Sequence, residues 1–262
     1  MSSASESQVL GPQNPRIAEL RRLIGRRSSR SVDIVLEGPR TVEEALVLGY
    51  VPTTVIVPES GAGHPLLRDM PRATEVIVTR DNAFARLAPS VSPQPMLALV
   101  PRPEAEIPTA FRATDTALVL ADVSDPGNVG TLIRVADAVG AAVVVSIGGA
   151  DPWGSKAVRS SAGSVLRVPV VAYDTLEVAV GDLRAAGARV IGTDVREGEP
   201  HDEGVLNGPV AIVLGSEPHG LDRSIDPLID AWVRIDMPGN TESLNVAMAG
   251  TLLAYEASKP VS

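Results

Sequence analysis

Along the first hundred residues the spacing of apolar positions alternates between two periods. Residues 16–27 put Ile17, Leu20, Leu23 and Ile24 on one side of a helix. Residues 33–37, 51–57, 76–78 and 96–100 are short apolar runs that read as strands. Between them, 41–48 and 82–87 return to helical spacing, and Thr41 with Glu44 three residues on predicts a capping box. Further along, strands are predicted at 117–121, 141–147, 168–171, 189–193, 210–214 and 232–235. Helices are predicted at 129–139, 156–163, 176–186 and 244–258. These later strands are unbroken Val/Ile/Leu/Ala runs. They therefore predict a sheet buried on both faces, mainly parallel, in an α/β fold. The boundaries read as a disordered tail at 1–13, a small α/β domain at 14–104, a linker at 105–114 and a second α/β domain at 115–262.

Composition narrows this picture. The chain has 262 residues, 44% hydrophobic and 21% charged, an ordinary globular balance. Aromatics are only 3%, so the core rests on aliphatic side chains, and without cysteine there is no disulfide framework or thiol chemistry. No run of about 18 apolar residues predicts a membrane span. The opening MSSASESQVL has no signal-peptide pattern, so the expectation is a cytoplasmic protein. The net charge of −9 argues at first against nucleic acid. Residues 1–110, however, hold 12 basic against 12 acidic side chains, leaving 11 against 20 for the rest. Arg16, Arg21, Arg22, Arg26, Arg27 and Arg30 form a basic cluster that suits phosphates, with a solvated helix face as the other reading.

Three stretches lie where an apolar strand gives way to a loop, the usual place for ligand sites in open α/β sheets. The first is SDPGNVG at 124–130, with Asn128 placed as an N-cap and Gly127 and Gly130 permitting close backbone approach. Arg134 follows on a largely apolar helix, which predicts a partner for its charge; a structural turn with a salt-bridged arginine remains open. The second is GSEPHGL at 215–221, where Glu217 is a carboxylate held at a strand end, to accept from a ligand or to cap a helix. The third runs from Ile235 to Ala249 and enters a helix at Ser243, Leu244 and Asn245. Polar side chains at that helix start suit a ligand, or cap it. Three scattered histidines predict no metal site. No G-x-G-x-x-G run joins a strand to a helix, which argues against a nicotinamide-dependent oxidoreductase and against the common Rossmann-type methyltransferases.

Together the loops resemble the SpoU/TrmH family of RNA ribose 2′-O-methyltransferases of the SPOUT superfamily. The matching residues are Asn128 with Arg134, Gly215-Ser-Glu217 with Gly220-Leu221, and Ile235-x-Met237 with Ser243-Leu-Asn-Val246. KAVRSSAG at 156–163 also matches, and residues 15–100 are similar to the L30e-like domain that precedes the catalytic domain in many members. The resemblance implies a SPOUT domain with a C-terminal trefoil knot, a homodimer, and S-adenosylmethionine as methyl donor without a metal. The cofactor would be held by Gly215, Ile235, Leu244 and Thr193. Arg134 would be central to catalysis, with Asn128, Glu217, Ser243 and Asn245 completing the site. RNA would be held by Arg21, Arg22, Arg26, Arg27, Arg30, Lys156 and Arg159. The expected substrate is 23S ribosomal RNA; tRNA and a non-catalytic RNA-binding protein of the same fold are the alternatives.

Overall fold

The structure is a computed structural model and describes residues 9–25, 32–216 and 220–259. The chain divides into two compact units, one of Met1–Arg102 with Trp153–Arg159 and one of Pro103–Pro152 with Ser160–Ser262.

In the first unit, α1 (Pro15–Gly25) leads to β1 (Asp33–Glu37), α2 (Pro39–Val47), β2 (Thr54–Pro58), β3 (Glu75–Thr79), α3 (Asp81–Leu87) and β4 (Leu97–Pro101). The four-stranded sheet runs β1-β4-β2-β3, with β4 antiparallel to both β1 and β2, and β2 parallel to β3. Ile17, Leu20 and Ile24 are the buried stripe of α1, and they pack with Phe84 and Leu87 of α3 against Ile56, Leu97 and Leu99 of the sheet. One expectation is corrected here. Thr41 does not cap α2: the cap is Gly38, at φ 99, followed by Pro39, whose fixed φ starts the helix without a side-chain bond. Within the segment 1–13, residues 9–13 are described. Leu10 donates to Val78 O at 2.9 Å and accepts from Arg80 N–H at 2.9 Å, so its backbone pairs with the free edge of β3.

The second unit contains β5 (Thr116–Ala121), α4 (Pro126–Val139) and β6 (Val143–Ile147). After the segment bearing α5 (Ser155–Ser160) come β7 (Val170–Tyr173), α6 (Leu176–Ala185), β8 (Arg189–Thr193), β9 (Glu199–Pro200), β10 (Val210–Leu214), β11 (Ala231–Arg234) and α7 (Val246–Ala257). Its seven-stranded sheet runs β7-β6-β5-β10-β8-β11-β9, and every neighbouring pair is parallel. The two-residue β9 was not expected, since Glu199-Pro200 carries no apolar pattern. On one face Ala117, Val119, Val143, Val145, Ala211 and Val213 meet Leu176, Ala179, Val180 and Leu183 of α6. On the other, α7 approaches closely through Gly250. A Cβ there would collide with Leu132 of α4 and stand 2.8 Å from Leu214 Cδ1. Helices on both faces are why the strands lack alternation. They also leave the carboxyl ends of β10, β8 and β11, three neighbours in the sheet, as the open edge.

Candidate active site

The loops that leave those three strand ends wall a cavity of about 350 Å³. Thr193, Asp194 and Arg196 come from the loop after β8, and Gly215, Ser216 and Leu221 from the loop after β10. Ile235, Ser243 and Leu244 come from the stretch between β11 and α7. The chain thus brings Thr193, Gly215, Ile235, Leu244 and Ser243, which are dispersed over fifty residues of sequence, into one lining.

The loop after β10 is tight because it folds back on itself. Ser216 and Gly220 form an antiparallel bridge, and Gly220 N–H donates to Ser216 O at 2.8 Å. A Cβ on Gly215 would lie 2.5 Å from the carbonyl of Gly220 and 2.8 Å from Leu221 N, so only glycine fits there. Glu217 lies outside the described residues. Thr193 Oγ1 donates to Val213 O at 2.9 Å and ties β8 to β10 beneath the cavity. Asp194 Oδ1 accepts from the N–H groups of Arg196 at 2.7 Å and Glu197 at 2.9 Å, closing the turn that forms one wall. Partial burial pushes the Asp194 carboxyl up, but those two amides and the Arg223 charge outweigh it and hold it below the usual carboxylate range. Among the described residues, the backbone groups of Gly215, Ile235 and Leu244 make no hydrogen bond within the chain. Unspent backbone donors and acceptors beside a cavity are what a ligand with amide-like edges requires.

Two helix starts converge near this cavity, and both differ from expectation. The N-cap of α4 is Asp125, not Asn128: its Oδ1 accepts from Gly127 N–H at 2.6 Å and Asn128 N–H at 3.1 Å, with Pro126 opening the helix. Asn128 is therefore a first-turn residue with its side chain released from capping. Asn245, expected inside α7, is instead its N-cap, accepting from Ala247 N–H at 2.9 Å and Met248 N–H at 3.4 Å. Capping explains a polar residue at the head of an apolar helix. Asn245 Nδ2 donates to Asn128 Oδ1 at 3.3 Å, so two candidate residues 117 positions apart touch.

Arg134 departs from expectation more clearly. It is exposed on α4, outside the cavity lining, and among the described residues its side chain has no hydrogen bond or ion pair. The physical reason is helical phase: Leu132, Ile133 and Ala136 take the buried side, and Thr131, Arg134 and Ala138 the outer one.

Of the candidate RNA contacts, Arg21, Arg22 and Lys156 are exposed, while Arg26, Arg27 and Arg30 lie outside the described residues. Arg16 is already engaged by Glu19 at 2.7 Å and Glu75 at 2.6 Å. Arg159 stands 3.7 Å from the buried carboxylate of Glu37, which also accepts from Ser90 and from Gln94 N–H. Arg196, Asp194 and Glu242 line the cavity without having been anticipated. Asp194 directly follows a strand end, so the rule that selected the other loops would have found it. No group of three or more His, Asp or Glu among the described residues is placed to hold a metal ion.

Residues 115–255 match the model of the SpoU rRNA Methylase family, and residues 14–98 match that of the MRM3-like substrate binding domain. A cavity among the carboxyl-end loops of a parallel sheet is the general ligand site of an α/β fold, and the family match makes this one a methyltransferase fold. The chain belongs to the SpoU rRNA Methylase family. The 23S rRNA (guanosine(2553)-2′-O)-methyltransferase RlmP of Bacillus subtilis (strain 168) is 30% identical over 250 residues, covering 95% of this chain and 98% of its own. The 23S rRNA (uridine(2479)-2′-O)-methyltransferase of Streptomyces viridochromogenes is 31% identical over 266 residues, covering 94% and 90%. The crystal structure of the SpoU methyltransferase AviRb from Streptomyces viridochromogenes, in complex with the cofactor AdoMet, has a TM-score of 0.83 and 29% identity. It covers 94% of this chain and 97% of that one.

Proposed function

We propose that this protein transfers a methyl group from S-adenosylmethionine to a ribose 2′-hydroxyl of 23S ribosomal RNA. The observation that carries the cofactor assignment is the cavity lined by Gly215, Ile235 and Leu244, whose backbone groups are unspent among the described residues. Its volume, about 350 Å³, falls within the usual range for small-ligand sites. The AdoMet complex of the related AviRb supports the same assignment.

When bound, the cofactor supplies an electrophilic methyl on a sulfonium sulfur. The transfer would leave that sulfur as a neutral thioether and release the 2′-hydroxyl proton to solvent. The chain's own work is to position and exclude water. Gly215, Ile235 and Leu244 hold the ligand through backbone groups, with Thr193 fixing the floor of the site. Asn128 and Asn245, joined to each other, set the geometry at two helix starts. Ser243 presents a hydroxyl at the same edge, and Glu217 would add a carboxylate. A guanidinium such as that of Arg134 is a poor base. We assign it to the phosphate next to the reacting ribose, where its charge makes the hydroxyl more acidic. Its exposure leaves it open to RNA. Arg21, Arg22, Arg26, Arg27, Arg30, Lys156 and Arg159 would hold RNA further out.

The active form we propose is a homodimer. Met248, Leu252 and Tyr255 are 62%, 44% and 61% exposed at helical spacing on α7, an apolar stripe suited to a second copy. Insertion of β10 between β5 and β8 supports a knotted C-terminal segment. No helix among the described residues is long and apolar enough to cross a membrane. A cytoplasmic location follows from a ribosomal RNA substrate.

The test is methyl transfer from labelled S-adenosylmethionine to unmodified 23S rRNA, with total tRNA as competitor. Label in a ribose 2′-O-methyl nucleoside of 23S rRNA is the expected result. Label in tRNA alone would move the substrate, and none in either would favour a non-catalytic RNA-binding protein.

A further inference from the structure

The cavity is walled by loops from three strands, so its shape depends on what holds those loops to one another. Arg223 begins the 3-10 turn Arg223–Leu228, two residues after Leu221 on the segment that leaves the cavity. Its Nη2 donates to Asp194 Oδ2 at 2.8 Å and to Glu197 Oε2 at 2.8 Å, both in the loop after β8. Its guanidinium carbon lies 4.1 Å from the ring centroid of Trp232 on β11. Asp226, 3.6 Å from Nη1, adds a further carboxylate.

The groups that Arg223 touches are themselves fixed. Asp194 spends its other oxygen on the two amides of its turn, and its own N–H donates to Val233 O at 3.0 Å. The Trp232 indole lies against Gly192, where a Cβ would come within 2.8 Å of the ring. Gly198, at φ +107, passes so close to the Trp232 carbonyl that a Cβ would be 2.5 Å from it. A planar guanidinium can bridge two carboxylates with its edge while its face stacks on an indole; a lysine ammonium has no such face. Each exposed ion pair alone is weak, but partners that are already ordered cost little entropy to join.

We infer that Arg223 is a positioning residue for the cofactor cavity: it bridges the loops after β8 and β10 and strand β11, and so sets the wall formed by residues 193–196. The inference rests on the reading that the cavity takes S-adenosylmethionine. Arg223 is not part of the lining itself, so it acts through Asp194 and Trp232.

The experiment is calorimetric titration of the full chain with S-adenosylmethionine, alongside steady-state kinetics, for wild type, Arg223→Gln, Arg223→Lys and Glu197→Gln. Arg223→Gln should weaken binding about tenfold and raise the cofactor KM in parallel. Its kcat at saturating cofactor and its KM for RNA should stay within about twofold, a split that general destabilisation would not produce. Arg223→Lys should recover part of the loss, and Glu197→Gln should lose about threefold. Wild-type affinity in Arg223→Gln, or a fall in kcat with the cofactor KM unchanged, would overturn the inference. If Arg223→Gln does not fold, Glu197→Gln decides, and wild-type affinity there would overturn it. A wild-type chain that binds no S-adenosylmethionine would instead overturn the functional reading, and the inference with it.

Discussion

The two units solve different problems with similar elements. The first is a small mixed sheet whose candidate functional groups, Arg21, Arg22 and Lys156, are exposed cations with no enclosing cavity described around them. The second is an all-parallel sheet that gathers residues from three strand ends around one cavity. Exposed cations share a diffuse field, so each can be lost at small cost. Cavity residues hold fixed places, and some tolerate no added atom. Under the proposed function the chain would divide recognition by charge from recognition by shape, and substitutions should separate the two.

The largest effect is expected at Arg134. Arg134→Ala should lower turnover on the order of a hundred- to a thousand-fold while S-adenosylmethionine still binds, as read by single-turnover assay and calorimetry. Near-normal turnover would remove it from the mechanism. Gly215→Ala comes next. Its Cβ would meet the Gly220 backbone at 2.5 Å, so the loop must shift and cofactor affinity should fall at least about tenfold. Asn245→Ala removes the α7 cap and the bond to Asn128, and should cost about 1 kcal/mol of stability by denaturant titration, with a lower kcat.

Acid separates the units further. Asp194 and Asp230 of the second unit are held below their ordinary 3.8, burial being outweighed by hydrogen bonds from backbone amides and by arginine charge. Their stabilisation is present above the unfolded value and lost as pH falls through the lower folded one. Asp33 of the first unit is raised above 3.8 by burial, so protonation on acidification relieves rather than removes stability there. Hydrogen exchange below about pH 4 should show protection falling more at β8 than at β1. Equal loss at both strands would contradict this. The smallest effect is expected in the first unit: Arg21→Ala with Arg22→Ala should raise the KM for RNA about threefold and reduce the salt dependence of binding, with cofactor affinity unchanged.

The sequence was most readable where one physical rule acts alone. Val210–Leu214 is an unbroken apolar run because both sheet faces are covered, and its strand and carboxyl-end loop follow from that. Helix starts were harder, because several residues compete for each cap. Asp125 and Asn128 are both good N-caps in one loop, and Asp125 takes the role because its oxygen reaches both amides. Asn245 falls inside the helix predicted over 244–258, whereas the structure makes it the N-cap that precedes α7. Arg223 left no local signal, since its partners Asp194, Glu197 and Trp232 lie in other segments and meet it only through the sheet order. The burial state of Arg134 depended on helical phase, which its apolar neighbours Val135 and Ala136 obscured.

The most direct test of the central claim is titration of the purified chain with S-adenosylmethionine, with NAD as the control. Saturable binding of S-adenosylmethionine at about one per chain, and none of NAD, is the expected result. Binding of NAD alone, or of neither ligand even with 23S rRNA present, would contradict it.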